Sequence, residues 1–139
     1  MLFKFNQQGF ATLEVILMIT VLGILSAVAI PRYKAITISA NTAKVQADLS
    51  TLDTAIALYQ MDNGKVPSEL KDLKDYVQDV ENIKPPTGSV YVNGEEKDLS
   101  GSSYSIKTVD NNPRAVFGDN TSEQFTKATS SSSASTTTT

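Results

Sequence analysis

Glu14 is the only charged residue in an apolar run from Phe10 to Ile30, and its position needs a chemical explanation. A carboxylate at membrane depth costs about 2.5–3.5 kcal/mol on insertion scales, so it is usually paired or functional. If the chain were cut after Gly9, Phe10 would carry a new ammonium group four residues from Glu14. Residues at i and i+4 are neighbours on a helix, and the first helical turn favours negative charge. The spacing therefore indicates a cation–carboxylate pair formed after cleavage, either within one chain or between adjacent chains.

The other reactive side chains leave little room for catalysis. The chain has 139 residues with no Cys, no His and no Trp, and its net charge is −3. A nucleophile–His triad, an imidazole base, a disulfide and an ordinary zinc site are all excluded by this composition. The negative net charge argues against a general nucleic-acid binder, which usually has a basic face. We therefore expect a protein that is not an enzyme.

Two simpler interpretations of the apolar run remain open at this point. The sequence Ala27-Val28-Ala29 supplies an A-x-A cleavage pattern, but a signal peptide usually has a shorter apolar region without a carboxylate. A plain membrane anchor explains the length, since 21 residues from Phe10 to Ile30 give about 31 Å of helix, which matches a bilayer core. An anchor leaves Glu14 unexplained. The flanking basic residues also lie mostly after the run, against a simple positive-inside arrangement with the N-terminus inside.

The segment Gln8-Gly9-Phe10-Ala11-Thr12-Leu13-Glu14, followed by an apolar run ending Ala29-Ile30-Pro31, resembles the class III signal of type IV pilins and major secretion pseudopilins. The resemblance implies that residues 1–9 are a leader, which prepilin peptidase removes after Gly9. It also implies that Phe10 is N-methylated and that Glu14 neutralises the N-terminal amine of an adjacent subunit during assembly. The departures are small: the leader has a single lysine, and Ala-Thr replaces the commoner Thr-Leu after Phe10.

The same resemblance implies a structural role, a set of partners and a location. The chain would be a pilin or major pseudopilin that polymerises through its N-terminal helix into a type IV-like pilus, or fimbrium, of its own copies. Expected partners are prepilin peptidase, an inner-membrane assembly platform, a cytoplasmic assembly ATPase and, before assembly, membrane lipid. No direct nucleic-acid partner is expected. The subunit would cross the inner (cytoplasmic) membrane once with its C-terminal head outside the cytoplasm, and would then enter a periplasmic or extracellular filament. The alternative is a membrane-anchored binding module that does not polymerise, and the sequence does not distinguish pilus, competence filament and secretion pseudopilus.

The elements that must position these residues begin with one long helix. An apolar stripe continues after the membrane-length run and predicts an amphipathic helix, formed by Ile38, Val45, Leu49, Leu52, Ile56 and Tyr59. Gly64 supplies a C-terminal cap just after Asp62. We therefore predict a transmembrane and assembly helix over 10–31 and an amphipathic half over 32–62. Pro31 removes a backbone hydrogen bond and should kink the helix. In filaments of the resembling family, the stretch matching Gly23 to Pro31 is often unwound.

The residues from 63 to 125 predict a small head, which makes the fold class α+β. A short helix is expected from Pro67-Ser68 to about Asp79. Strand patterns and turn residues predict a three-stranded antiparallel sheet packed on the helix stripe. The predicted strands are Val90–Val92, Tyr104–Thr108 and Ala115–Phe117. The predicted turns are Asn93-Gly94 and Asp110–Pro113.

The last part of the chain carries two weaker signals. Residues 126–139 are rich in Ser and Thr without apolar periodicity, which predicts a disordered tail. Asp110, Asp119 and Glu123 are weak calcium candidates in an oxygen-rich stretch. The resemblance implies calcium in this region, because major secretion pseudopilins bind it there. No EF-hand spacing is present, turns rich in Asp and Asn need no metal, and no other cofactor is expected.

Overall fold

The structure is a computed structural model that describes residues 7–127, with side chains described from Phe10 onward. It contains one long helix, α1 (Gln7–Asn63), and four strands: β1 (Ser89–Val92), β2 (Glu95–Asp98), β3 (Tyr104–Val109) and β4 (Asn112–Phe117). The predicted α+β class is confirmed. Most of the predicted leader and nearly all of the predicted Ser/Thr-rich tail lie outside the described residues.

The chain divides into two compact units, one ending at Thr37 and the other beginning at Ile38. In the first unit α1 is helical throughout its described residues, including Gly23 and Pro31. The unwinding that the resemblance implies for a filament is not tested by this single chain. Loss of the Pro31 N–H removes one hydrogen bond of the ladder and leaves the others in place. The hydroxyls of Thr20 and Ser26 each donate to a backbone carbonyl one turn earlier, at 2.7 Å.

The second unit is built on the predicted stripe of α1. Ile38, Val45, Leu49, Leu52 and Ile56 are buried, and Tyr59 packs against the core at its edge. This confirms the amphipathic pattern. The stripe packs with side chains from several later parts of the described chain, namely Leu73, Val77, Val80, Val90, Val92, Tyr104, Ala115, Phe117 and Phe125.

The C-terminus of α1 is set by Gly64. Its φ is +62°, a left-handed conformation that glycine adopts without strain, and its N–H donates to the carbonyl of Gln60 at 2.9 Å. The helix ends at Asn63, one residue after the predicted Asp62.

The predicted short helix over Pro67 to Asp79 is wrong in type. Between α1 and β1 the structure has two short 3₁₀ turns, Leu70–Leu73 and Val80–Asn82. The Asp72 carboxylate accepts the N–H groups of Ser68 and Glu69, at 2.8 and 3.1 Å, and closes the first turn locally. Asp79 has a φ of +56°, which interrupts any right-handed helix.

The strands form two hairpins with two-residue turns. Asn93 and Gly94 connect β1 to β2, as predicted, and Asp110 and Asn111 connect β3 to β4. All four turn residues have positive φ, the conformation that matches the twist of paired strands. β2 was missed because its residues are charged and exposed. β4 begins earlier than predicted and includes Pro113, which lies opposite Thr108.

The predicted three-stranded sheet is not formed, because the hairpins make separate two-stranded sheets. Side chains of α1 hydrogen-bond the strand edges where further strands would pair. The Tyr91 N–H of β1 donates to Thr42 Oγ1 at 2.8 Å, and the Ala115 N–H of β4 donates to Asp53 Oδ1 at 2.7 Å. Asn41 Nδ2 donates to the Ser89 carbonyl at 3.2 Å. Edge groups that are satisfied in this way do not require a third strand.

Deleting residues 1–34 should leave a soluble, folded monomer, because the buried stripe of the second unit starts at Ile38. We expect one cooperative thermal transition and dispersed amide NMR signals. Within this fragment, Leu49→Ala should lower the unfolding free energy by about 2–5 kcal/mol, since it opens a cavity in the core.

Ser50→Ala is the matched control, because Ser50 is the exposed neighbour of Leu49 and should change stability little. A fragment without a cooperative transition would place the folding unit's boundary elsewhere.

Candidate functional site

The Phe10–Glu14 pair lies on the exposed first part of α1. Phe10 is 70% exposed, and Glu14 lines a shallow groove with Leu17, Met18, Val21 and Leu22. Within residues 7–127, Glu14 has no ion-pair partner. Among the side chains that the structure describes, Glu14 is therefore a carboxylate beside an open apolar groove without an ion-pair partner.

The apolar surface around Glu14 is large and uncovered. The large apolar side chains from Phe10 to Ile30 are each 53–70% exposed. The described residues contain one helix long and apolar enough to cross a membrane, by length and composition, and its best window has a mean hydropathy of 2.5. Contiguous apolar patches on soluble monomers rarely exceed a few hundred Å². This part of α1 therefore requires lipid or other protein around it.

Gly23 is not required by packing within the chain. A Cβ built at Gly23 would meet nothing within 4 Å. Gly23 and Ala27 are four residues apart, a small-xxx-small spacing that lets two helices approach closely in apolar surroundings. The open space at Gly23 is thus available to a neighbouring helix.

A second exposed face of α1 carries no charge, and the sequence reasoning missed it. We call it the small-residue stripe; it consists of Ala40, Ala43, Ala47, Ser50, Thr54, Ala57 and Met61, all exposed. Its members alternate at spacings of 3 and 4, the seam pattern of packed helices. The Thr54 hydroxyl donates to the Ser50 carbonyl at 2.9 Å, so its polar group is satisfied within the helix. The heptad spacing could have revealed the stripe, but a search for large apolar residues passes over alanines.

The three calcium candidates are not gathered into one cluster. Asp110 lies in the β3–β4 turn, Asp119 forms an ion pair with Lys107, and Glu123 forms one with Arg114 at 2.5 Å. Within residues 7–127, no group of three or more His, Cys, Asp or Glu side chains is placed to hold a metal ion.

Several titratable groups of the head form ion pairs and hydrogen bonds with one another, and these contacts shift their pKa values. Hydrogen bonds from Arg114, and then from the backbone and Thr121, lower the pKa of Glu123 to about 2. Hydrogen bonds to Asp53 and Glu123 raise the pKa of Arg114 above its already high ordinary value. Burial, together with a hydrogen bond donated to Asp48 at 2.7 Å, raises the pKa of the Tyr104 hydroxyl. These shifts stabilise the charged forms of the ion pair and the neutral form of Tyr104.

Curated relatives of this chain carry the name Type II secretion system core protein G. The protein from Pectobacterium carotovorum subsp. carotovorum is 32% identical over 73 residues, which are 52% of this chain and 47% of the relative. The one from Pseudomonas aeruginosa is 28% identical over 67% of this chain and 61% of the relative. The one from Vibrio cholerae is 29% identical over 71% and 69%, respectively. The chain spans about half the length of the first curated relatives it matches.

No protein-family model matches the chain, and no solved structure matches it. The described residues thus include a helix long and apolar enough to cross a membrane, with one carboxylate near its start, and a small α+β head. The relatives are named as core proteins of a secretion system, which agrees with the expectation that this chain is not an enzyme. The match to these relatives supports the resemblance to type IV pilins and secretion pseudopilins that the segment around Gly9, Phe10 and Glu14 indicates.

Proposed function

We propose that this chain is a structural subunit of a type II secretion pseudopilus, processed after Gly9 and polymerised through α1. The observation that carries the proposal is Glu14, a carboxylate on an exposed apolar helix without a counter-charge among residues 7–127. The names of the relatives favour a secretion filament over a pilus or a competence filament.

Processing creates the missing cation. Cleavage after Gly9 gives Phe10 an α-ammonium group, which is mostly protonated near neutral pH. N-methylation keeps that positive charge. A Glu14 carboxylate from the neighbouring subunit then neutralises the ammonium among apolar helices, where an unpaired charge is strongly unfavourable. Because the two charges must meet, the pair also sets the axial offset between neighbouring subunits.

The exposed faces of α1 supply the packing. In lipid the large apolar residues from 10 to 31 are solvated by acyl chains, and in a filament they would be covered by neighbouring helices. The small-residue stripe would let a neighbouring subunit approach α1 of the second unit closely, because alanine methyls leave the helix surface flat. Burial of apolar surface contributes roughly 25 cal/mol per Å², so extended helix contacts favour polymerisation.

The location and the other partners follow from this role. Residues 10–31 hold the subunit in the cytoplasmic membrane with its head outside the cytoplasm, and it leaves the membrane as it joins a periplasmic or extracellular filament. Prepilin peptidase, an inner-membrane platform and a cytoplasmic ATPase are the proposed assembly partners. A membrane-anchored binding module that never polymerises is the second candidate, favoured only by the membrane-length helix, and it needs neither Glu14 nor cleavage.

The mature chain should begin at Phe10 and not after the Ala27-Val28-Ala29 pattern, because only the cut after Gly9 places a cation four residues from Glu14. Intact mass and N-terminal sequencing of the subunit from native membranes would measure the start and any methyl group. A mature chain starting at Ile30 would mean cleavage by ordinary signal peptidase and would contradict the proposal.

Glu14→Ala should leave cleavage largely intact and strongly reduce filament yield. Breaking a buried ion pair by removing one partner costs about 3–5 kcal/mol, and every subunit contact would carry that cost. Glu14→Gln should also impair assembly, since it keeps the shape without the charge. The measurement is sheared-filament yield beside processed subunit in the membrane.

Glu14→Asp is the matched control, because it keeps the charge on a shorter side chain and should retain part of the yield. If fully processed Glu14→Ala gave as many filaments as the wild type, Glu14 would not be needed for assembly. That result would favour the binding module.

Ala47→Glu should reduce filament yield without unfolding the head, because it places a charge in the middle of the small-residue stripe. Gln46→Glu is the control, since it adds the same charge at an exposed neighbouring position outside the stripe. Circular dichroism of both variants would verify the fold. Equal filament yields from the two variants would exclude the stripe from subunit packing.

A further inference from the structure

Two sets of ion pairs, which we call the ties, hold the segment that follows β4, residues 118–127. The Arg114 guanidinium on β4 binds Asp53 of α1 at 2.8 Å and Glu123 at 2.5 Å. The Lys107 ammonium on β3 binds Asp119. Both carboxylates of the segment therefore meet a cation from the β3–β4 hairpin, and Asp53 connects the larger tie to the long helix.

The segment held by these ties completes the core. It places Phe125 at 1% exposure beside Phe117, with ring centroids 6.0 Å apart. Its backbone also binds the β1–β2 turn, where Asn93 N–H donates to the Gln124 carbonyl at 2.7 Å and Gly94 N–H donates to Thr126 at 2.9 Å. Release of this segment would therefore open the core and free the turn.

The residues of this region do not fit the calcium ion that the resemblance implies. Calcium takes 6–8 oxygen ligands. The carboxylates of Asp119 and Glu123 are each bonded to a cation, which would repel a divalent ion at the same oxygens. The carbonyl oxygen of Gly118 already accepts a hydrogen bond from Asn120 Nδ2 at 2.6 Å.

We propose that Lys107 and Arg114 take the place of a calcium ion in this head, so that its fold is independent of divalent cations. Each cation neutralises a carboxylate that would otherwise repel its neighbours when the segment closes. The closing contacts are then built into the chain and do not depend on the calcium concentration outside the cytoplasm. The consequence is a head that responds to acid and to loss of Arg114, and not to chelators.

The lowered pKa of Glu123 agrees with this assignment and predicts in which direction pH changes the stability of the head. The pKa of Glu123 in the folded chain is about 2, below the ordinary value of 4.5. A lowered folded pKa means that the ion pair stabilises the fold above about pH 4.5 and that this contribution is lost as the pH falls toward 2. Acid should therefore release the segment by protonating Glu123.

The test compares the processed full-length chain with two variants in detergent micelles, in the presence of calcium chloride or of EGTA. The variants are Arg114→Gln and the control Lys97→Gln, which removes the same charge from exposed strand β2. We expect the wild-type Tm to be equal in calcium and EGTA. Arg114→Gln should lower the Tm by at least about 4 °C, and Lys97→Gln should not. Hydrogen exchange at the Asn93 and Gly94 amides should accelerate in Arg114→Gln alone, because those amides bind the tied segment.

Three results would overturn the proposal: a wild-type Tm raised by calcium, a Tm for Arg114→Gln equal to that of Lys97→Gln, or unchanged exchange at the two amides. If Arg114→Gln does not fold, Glu123→Gln replaces it and should show a smaller fall in Tm with the acid sensitivity removed. An acid profile for Glu123→Gln identical to wild type would then count against the ties. These measurements concern the folding of the head, so they stand apart from the outcome of any filament assay.

Discussion

The central physical constraint on this chain is the charge of Glu14 in an otherwise apolar helix. An ionised carboxylate in an apolar helix is tolerated when a cation meets it, and residues 7–127 supply none. The nearest cation that the sequence can create is the ammonium group of Phe10 after cleavage at Gly9. In the proposed function, the need to neutralise this charge links the processing step to the assembly step, and neither a signal peptide nor a plain anchor makes that connection.

The long helix serves different neighbours along its length because its faces differ in chemistry. Its first part is apolar on all sides and needs lipid or other helices. In the second unit a buried stripe organises the core, and the polar residues Thr42 and Asp53 hydrogen-bond the edges of the two hairpins. The small-residue stripe remains exposed. One helix therefore anchors the core, closes the strand edges and keeps a stripe of small residues exposed.

Features set by local sequence were predicted well from the residues alone. The helix stripe, the Gly64 cap and the Asn93-Gly94 turn follow from periodicity or from one residue's backbone preference, and each is present. Features set by partners distant in sequence were not predicted. Thr42 lies 49 residues from Tyr91 and Asp53 lies 62 residues from Ala115, so nothing in a strand pattern indicates that these side chains cap the hairpins. For the same reason the sequence marked Asp119 and Glu123 as acidic but did not indicate that Lys107 and Arg114 neutralise them.

The most direct measurement is zero-length carbodiimide cross-linking of purified filaments, assembled from a mixture of unlabelled and nitrogen-15-labelled subunits and analysed by mass spectrometry. An amide bond forms only where an amine and a carboxylate are in contact, and the mixed isotopes separate links between chains from links within one chain. Pairing between neighbouring subunits predicts a cross-link between the Phe10 α-amine of one subunit and Glu14 of another, with mixed-isotope peptides present. Filaments in which Phe10 and Glu14 form no link between chains, while other amine–carboxylate contacts cross-link efficiently, would contradict it.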